Sequence, residues 1–204
     1  MISVIDYGVC NLGSMLNMLR KVGAQAQLVS TAEELGRADK LILPGVGAFD
    51  NGIAALTERG LVAALRHKAL VDKVPLLGVC LGMQMLGRAS EEGSMAGLGL
   101  IDAEARRFQF AADSAHKVPH MGWSLLAQRR ASALQSGLDD ALTRFYFCHS
   151  YHLVCDDPAD VLAHASYGAD FVAMVRHDNV YGVQFHPEKS HRFGMALLRN
   201  FAGL

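Results

Sequence analysis

Short apolar runs alternate with segments of helical period through the first half of the chain. Residues 2–6 read as a strand, and Leu12, Met15, Leu16 and Leu19 then recur at helical spacing until Gly23 stops the pattern. Residues 27–30 and 40–44 are further strand candidates, the second closing on the glycine-rich Pro44-Gly45-Val46-Gly47. Residues 53–70 read as helix with Gly60 as a breaking point, 74–79 as a fourth apolar strand, and 81–87 as the start of another helix. A strand without polar alternation is buried on both faces. Strand, helix and strand in repetition therefore predict a parallel sheet covered on both sides.

The second half changes character. Segments 105–110, 123–126, 144–154, 161–165, 171–176 and 180–185 are short strand candidates divided by turns, and a last helix is expected over 191–201. Tyr146, His149 and Tyr151 do not alternate cleanly, so the strand limits there are open. The expected architecture is an α/β three-layer sandwich around a mostly parallel open sheet, with antiparallel strands added in the C-terminal half. No repeat or Pro/Gly/Ser linker divides the chain, so residues 1–204 are expected to form one domain.

Composition narrows the function classes. Of 204 residues, 51% are hydrophobic and 19% charged, which is globular and not disordered. A formal net charge of -1 and the lack of a basic tract argue against a nucleic-acid or anionic membrane partner. The start of the chain lacks the basic and apolar regions of a signal peptide, and no apolar run approaches the roughly 18 residues a spanning helix needs. Cys10, Cys80, Cys148 and Cys155 show neither C-x-x-C pairing nor tight spacing with histidine. They read as reduced thiols with no metal site, and the cytoplasm is the expected compartment.

The chemistry concentrates in two segments. In Gly78-Val79-Cys80-Leu81-Gly82 an apolar strand meets a helix at a cysteine flanked by glycines. This is the turn that lifts a nucleophile above a sheet, with sulfur in place of the usual hydroxyl. The helix start favours thiolate, and the Leu81 N–H is placed to serve an oxyanion. A cysteine in an apolar strand is more often just a small buried hydrophobe, so a base is needed. His186-Pro187-Glu188 supplies one at the end of the last strand candidate. Glu188, two residues on in an extended segment, can orient the imidazole, and a neutral His186 can shuttle the Cys80 proton to a leaving amine. A histidine near a carboxylate is commonplace among nine histidines; the pairing with the glycine-flanked cysteine is what carries weight.

With both segments in hand, the chain resembles the class I (triad) glutamine amidotransferases. More narrowly it resembles the glutaminase subunit of imidazole glycerol phosphate synthase. The likeness runs from Asp6-Tyr7-Gly8 and Asn11-Leu12 through Pro44-Gly45-Val46-Gly47-Ala48-Phe49, the Cys80 segment with Met83-Gln84, and Ser90-Glu91-Glu92-Gly93. It continues through Pro119-His120-Met121-Gly122-Trp123 and His149-Ser150-Tyr151 to Gly182-Val183-Gln184-Phe185-His186-Pro187-Glu188-Lys189-Ser190. It implies hydrolysis of L-glutamine through a thioester on Cys80, with no cofactor. The ammonia would pass to a cyclase (HisF-like) subunit in a heterodimer that forms imidazole glycerol phosphate and AICAR in histidine biosynthesis. Gly45, Val46 and Gly47 would complete the oxyanion hole with Leu81, after a peptide turn that ties activity to the partner. Gln84, His149, Ser150 and Tyr151 would meet the substrate, and Glu92 would approach it.

Cys10, Gly13 and Ser124 depart from the usual residues of that family, and the first two lie where it meets its cyclase. A paralogous subunit feeding a sugar amidotransferase of surface polysaccharide synthesis is therefore a second reading. A partner-independent cysteine hydrolase is a third, and a non-catalytic module on the same fold a fourth, opposed by the intact Cys80, His186 and Glu188.

Overall fold

A computed structural model describes residues 1–9, 12–139 and 141–204. Cys10 and Asn11, singled out above, lie outside the described residues. The first half runs β1 (Ile2–Ile5), α1 (Leu12–Lys21), β2 (Ala26–Val29), α2 (Ala32–Gly36), β3 (Leu41–Leu43), α3 (Phe49–Glu58), α4 (Leu61–Leu70), β4 (Leu76–Val79) and α5 (Leu81–Met85). The second half runs β5 (Ala89–Ser90), β6 (Ala103–Arg107), β7 (His120–Leu125), β8 (Ala127–Gln128), β9 (Arg144–His149), β10 (Tyr151–Cys155), β11 (Val161–Tyr167), β12 (Ala169–His177), β13 (Val180–Val183) and α6 (His191–Gly203).

Eight strands form the central sheet in the order β2-β1-β3-β4-β13-β12-β11-β8. Every pair from β2 to β13 is parallel, and β12, β11 and β8 add antiparallel strands at one side. The expected α/β architecture is what forms. Successive side chains of the central strands enter opposite cores: Ile5, Leu41, Leu43 and Leu76 one, Val4, Ile42, Leu77 and Val79 the other. The first core takes Leu35 of α2, Ile53 of α3 and Leu65 of α4; the second takes Leu19 of α1 and Leu198 of α6. Burying one such side chain is worth about 1.5–3 kcal/mol, and the two layers together hold the central strands β4 and β13, whose ends carry the site.

Several boundaries move. The helix expected over 53–70 does break at Gly60, whose left-handed conformation (φ 66°) separates α3 from α4, but α3 begins earlier than expected, at Phe49. Helix α2 escaped the periodicity reading, being only five residues long, although Thr31 and Glu34 form a full capping box. The strand expected over 144–154 is broken at Ser150, so that β9 pairs with β7 and β10 with β6 in two small sheets outside the main one. That break is the reason Tyr146, His149 and Tyr151 do not alternate. Among the described residues, no helix is long and apolar enough to cross a membrane.

Candidate active site

Strand β4 stops at Val79 and α5 starts at Leu81, leaving Cys80 alone in the turn with φ 55° and ψ -110°. Its N–H donates to the Val183 carbonyl (2.8 Å), which pins the turn to the end of β13. The flanking glycines permit the turn through close packing. The strained, positive φ belongs to Cys80, while neither Gly78 nor Gly82 has one. A Cβ on Gly82 would overlap the Leu43 carbonyl, and one on Gly78 would lie 2.7 Å from the Gly82 carbonyl. The glycines let α5 lie directly on β3 and β4. Because α5 has five residues, its dipole is that of little more than one turn, and the main electrostatic partner of the sulfur has to come from elsewhere.

That partner is His186. Three residues past β13, its backbone N–H donates to the Tyr146 carbonyl (2.9 Å), and its Nδ1 meets Glu188 Oε1 at 2.8 Å. The side chains of both are nearly inaccessible, at 4% and 7%. The segment is not extended as expected: Glu188 sits in a single 3-10 turn, Pro187–Lys189, which folds the carboxylate back onto the ring. Ser190 locks this turn, donating to the His186 carbonyl (2.6 Å) and accepting from the Tyr146 N–H (3.0 Å). Burial pulls the His186 pKa down, but hydrogen bonding and charge from Cys80 and Glu188 outweigh it and push it up to about 10. The raised pKa favours the protonated ring over the neutral imidazole expected from sequence.

Across the turn lies the segment that follows β3. Gly45 is buried, and a Cβ there would come within 2.6 Å of the Tyr7 hydroxyl and 2.9 Å of the Gly82 nitrogen. Tyr7 in turn donates to the Pro44 carbonyl at 2.7 Å. Beyond that anchor the backbone loosens: Val46 is 40% exposed and Gly47 has φ 97°. The Val46 N–H donates to the Val9 carbonyl (3.2 Å) in the loop after β1. That N–H is engaged away from the sulfur.

A pocket of about 250 Å³ opens over Cys80, lined by Val46, Gly47, Leu81, Gln84, Glu92, His149, Ser150, Tyr151, His186 and Lys189 among others. Gln84 Nε2 donates to the Tyr151 carbonyl (3.0 Å) and to Gln184 Oε1 (3.1 Å). His149 Nδ1 also reaches that carbonyl (2.7 Å), and burial lowers its pKa to about 3, so it stays neutral. The Ser150 carbonyl accepts from the Phe108 N–H (3.0 Å), holding the break between β9 and β10. Among the described residues, no group of three or more histidine, cysteine, aspartate or glutamate side chains could hold a metal ion.

The sequence matches the Glutamine amidotransferase class-I family over residues 3–203. It is 51% identical over 204 residues to imidazole glycerol phosphate synthase subunit HisH 2 of Pseudomonas aeruginosa, with the whole of both chains covered. The chain belongs to the class-I glutamine amidotransferases, in their HisH branch. A protein of the same name from Methanococcus maripaludis is 46% identical over 201 residues, 98% of each chain. In fold, the solved structure of PurLQS from Thermotoga maritima superposes with a TM-score of 0.76 over 99% of this chain and 97% of that one, at 18% identity.

Against that amidotransferase background, the fold brings every candidate residue named from sequence to one place. Cys80, His186, Leu81, Val46, Gly47, Gln84, His149, Ser150 and Tyr151 line the pocket; Glu188 stands behind His186 and Gly45 behind the nucleophile turn. Sequence reasoning gave no role to Gln184, whose Nε2 lies 3.8 Å from Cys80 Sγ, or to Ser190, the lock of the His186 turn. Both stand in the quoted Gly182-to-Ser190 motif, and both are fully buried polar residues that no periodicity explains. Also unforeseen is a reciprocal clasp at the start of α3. Ala48 cannot cap that helix with its side chain, and Glu92 accepts the Phe49 N–H instead (2.8 Å). Asp50 accepts from Ser94 and Met95 N–H (2.9 and 3.0 Å), which holds its pKa below the usual carboxylate value.

Proposed function

We propose that this chain is the glutaminase subunit of an imidazole glycerol phosphate synthase, releasing ammonia from L-glutamine for a cyclase (HisF-like) partner in a cytoplasmic heterodimer. The observation that carries the reading is the Cys80–His186–Glu188 arrangement at the floor of a small pocket. The Cys80 sulfur attacks the carboxamide carbon as a thiolate, and His186 delivers its proton to the departing nitrogen. Ammonia leaves and a γ-glutamyl thioester remains. Water then attacks as the now neutral His186 takes its proton; the thioester breaks, giving glutamate and the starting ion pair. Glu188 keeps the ring oriented through both steps. Glu92 is the one carboxylate among the described residues that line the pocket, and suits the substrate ammonium.

The oxyanion needs donors, and Leu81 offers one. The second comes from the Gly45–Val46–Gly47 backbone after Val46 N–H exchanges its Val9 bond for the substrate, a turn that Gly47 permits. The partner's place is supported by β7, where Met121, Trp123 and Leu125 stand 63%, 45% and 55% exposed on one strand face. Their cross-strand neighbours are Cys148, Tyr146 and Arg144, and Cys148 is itself in the pocket wall. An apolar stripe beginning at the pocket mouth fits a protein that receives the product there. The names of the relatives favour the cyclase over a sugar amidotransferase as that protein.

The test is glutamate release with and without the cyclase. Hydrolysis should be strongly partner-stimulated and lost in Cys80→Ala. Full activity in the variant, or unstimulated turnover on peptides, overturns the reading.

A further inference from the structure

Gln184 takes no part in the triad, yet its side chain touches the nucleophile. It is fully buried just after β13, and its N–H donates to the Ala173 carbonyl of β12 (2.9 Å), so the residue has little freedom. Its amide can face the sulfur with either end, and its neighbours decide which. The Tyr151 carbonyl can only accept, so it takes one hydrogen of the Gln84 amide nitrogen (3.0 Å). The second hydrogen of that nitrogen meets Gln184 Oε1 (3.1 Å). The Gln184 nitrogen is thereby turned toward Cys80 Sγ, 3.8 Å away. The reverse orientation would set two NH2 groups against each other and a carbonyl oxygen against the sulfur.

We propose that Gln184 is a further catalytic residue, donating an N–H hydrogen bond to the Cys80 sulfur whenever it carries negative charge. Gln84 is the positioning residue that keeps this donor aimed, anchored on the Tyr151 carbonyl. The role differs from that of His186. His186 gives up its proton when ammonia leaves and must recover one from water, whereas an amide keeps its hydrogens throughout. Gln184 therefore still serves the sulfur when the thioester breaks and the thiolate departs. The other ionisable groups around Cys80 are His186 with Glu188 behind it, the neutral His149 at the end of β9, and Glu92, Cys148, Tyr151 and Lys189 in the pocket wall. Substitutions confined to the two amides leave all of these charges in place.

The experiment measures iodoacetamide labelling of Cys80 against pH in the whole chain, read by peptide mass spectrometry, for wild type, Gln184→Met and Gln84→Met. In Gln184→Met the pH of half-maximal labelling should rise by about one unit, a tenfold loss on the acid limb, as expected for one hydrogen bond to a charged group. Gln84→Met should show about a threefold loss, because Gln184 is then present but free to turn. Cys148 labelling should stay unchanged and serve as internal reference. A role in packing alone would lower the melting temperature without moving the profile. A wild-type profile in folded Gln184→Met overturns the proposal; should that variant fail to fold, a wild-type profile in Gln84→Met overturns it. Neither glutamine nor partner enters the measurement, so its failure leaves the glutaminase reading to the Cys80→Ala assay.

Discussion

The two walls that meet over Cys80 are built to different standards. On one side the sulfur, imidazolium and carboxylate are buried and tied to β9 and β13 by the Cys80, His186 and Ser190 hydrogen bonds. On the other, only Pro44 and Gly45 are locked, and the next peptides are exposed, with Val46 N–H given to Val9. The contrast shows where a partner can act. On the proposed function, a preorganised nucleophile needs no help, but the oxyanion site lacks its second donor until the segment after β3 turns. The unfinished wall begins beside the loop after β1, so a contact on that loop can reach the donor through one hydrogen bond.

Breaking the finished wall should have the largest effect. Cys80→Ala should lower partner-stimulated glutamate release by on the order of 10⁴-fold or more, while ammonia supplied from solution still drives the complex. Glu188→Gln should cost about 10³–10⁴-fold in kcat. It should also lower the pH at which His186 loses its proton, seen as an earlier alkaline fall in the rate profile. The sign follows from the raised pKa: the stability contributed by protonated His186 is complete below the ordinary value of 6.5 and lost as pH rises through about 10. Wild type should therefore lose stability between neutrality and pH 10 by more than Glu188→Gln does, which urea titrations across that range will measure.

Disturbing the unfinished wall should leave the nucleophile intact. Trp123→Ala should weaken the complex about 30-fold, an effect of about 2 kcal/mol typical of a buried aromatic anchor, with Cys80 alkylation in the lone chain unchanged. Gly47→Ala has open space for its methyl but a φ of 97°, so it should lose about 1 kcal/mol of stability. Its partner stimulation should fall while triad reactivity stays. Equal damage to alkylation and stimulation by Gly47→Ala would erase the distinction between the walls.

Sequence revealed the finished wall better than the other. Cys80, His186 and Glu188 declare themselves because their residue types and turns are those of nucleophilic chemistry, and the apolar strands 2–6 and 74–79 are legible because both faces are buried. What stayed hidden depends on pairings distant in sequence. Gln184 meets Cys80 across 104 positions, and Val46 meets Val9 across the segment that holds α1, β2, α2 and β3. The break at Ser150 follows from β7 and β6 claiming different halves of one apolar stretch, which local pattern cannot show. The upward pull on the His186 pKa is hidden for a related reason, since it depends on two neighbours that only the fold buries with it.

The backbone of Cys80 has a practical consequence for anyone engineering this chain. A non-glycine residue at φ 55° costs on the order of 1–3 kcal/mol, and the side chain found there is the one the reaction requires. Cys80→Gly should relieve that cost and melt at a higher temperature. A laboratory selection rewarding heat resistance alone would thus discard the nucleophile early, and variants of this chain have to be chosen on turnover as well as on survival.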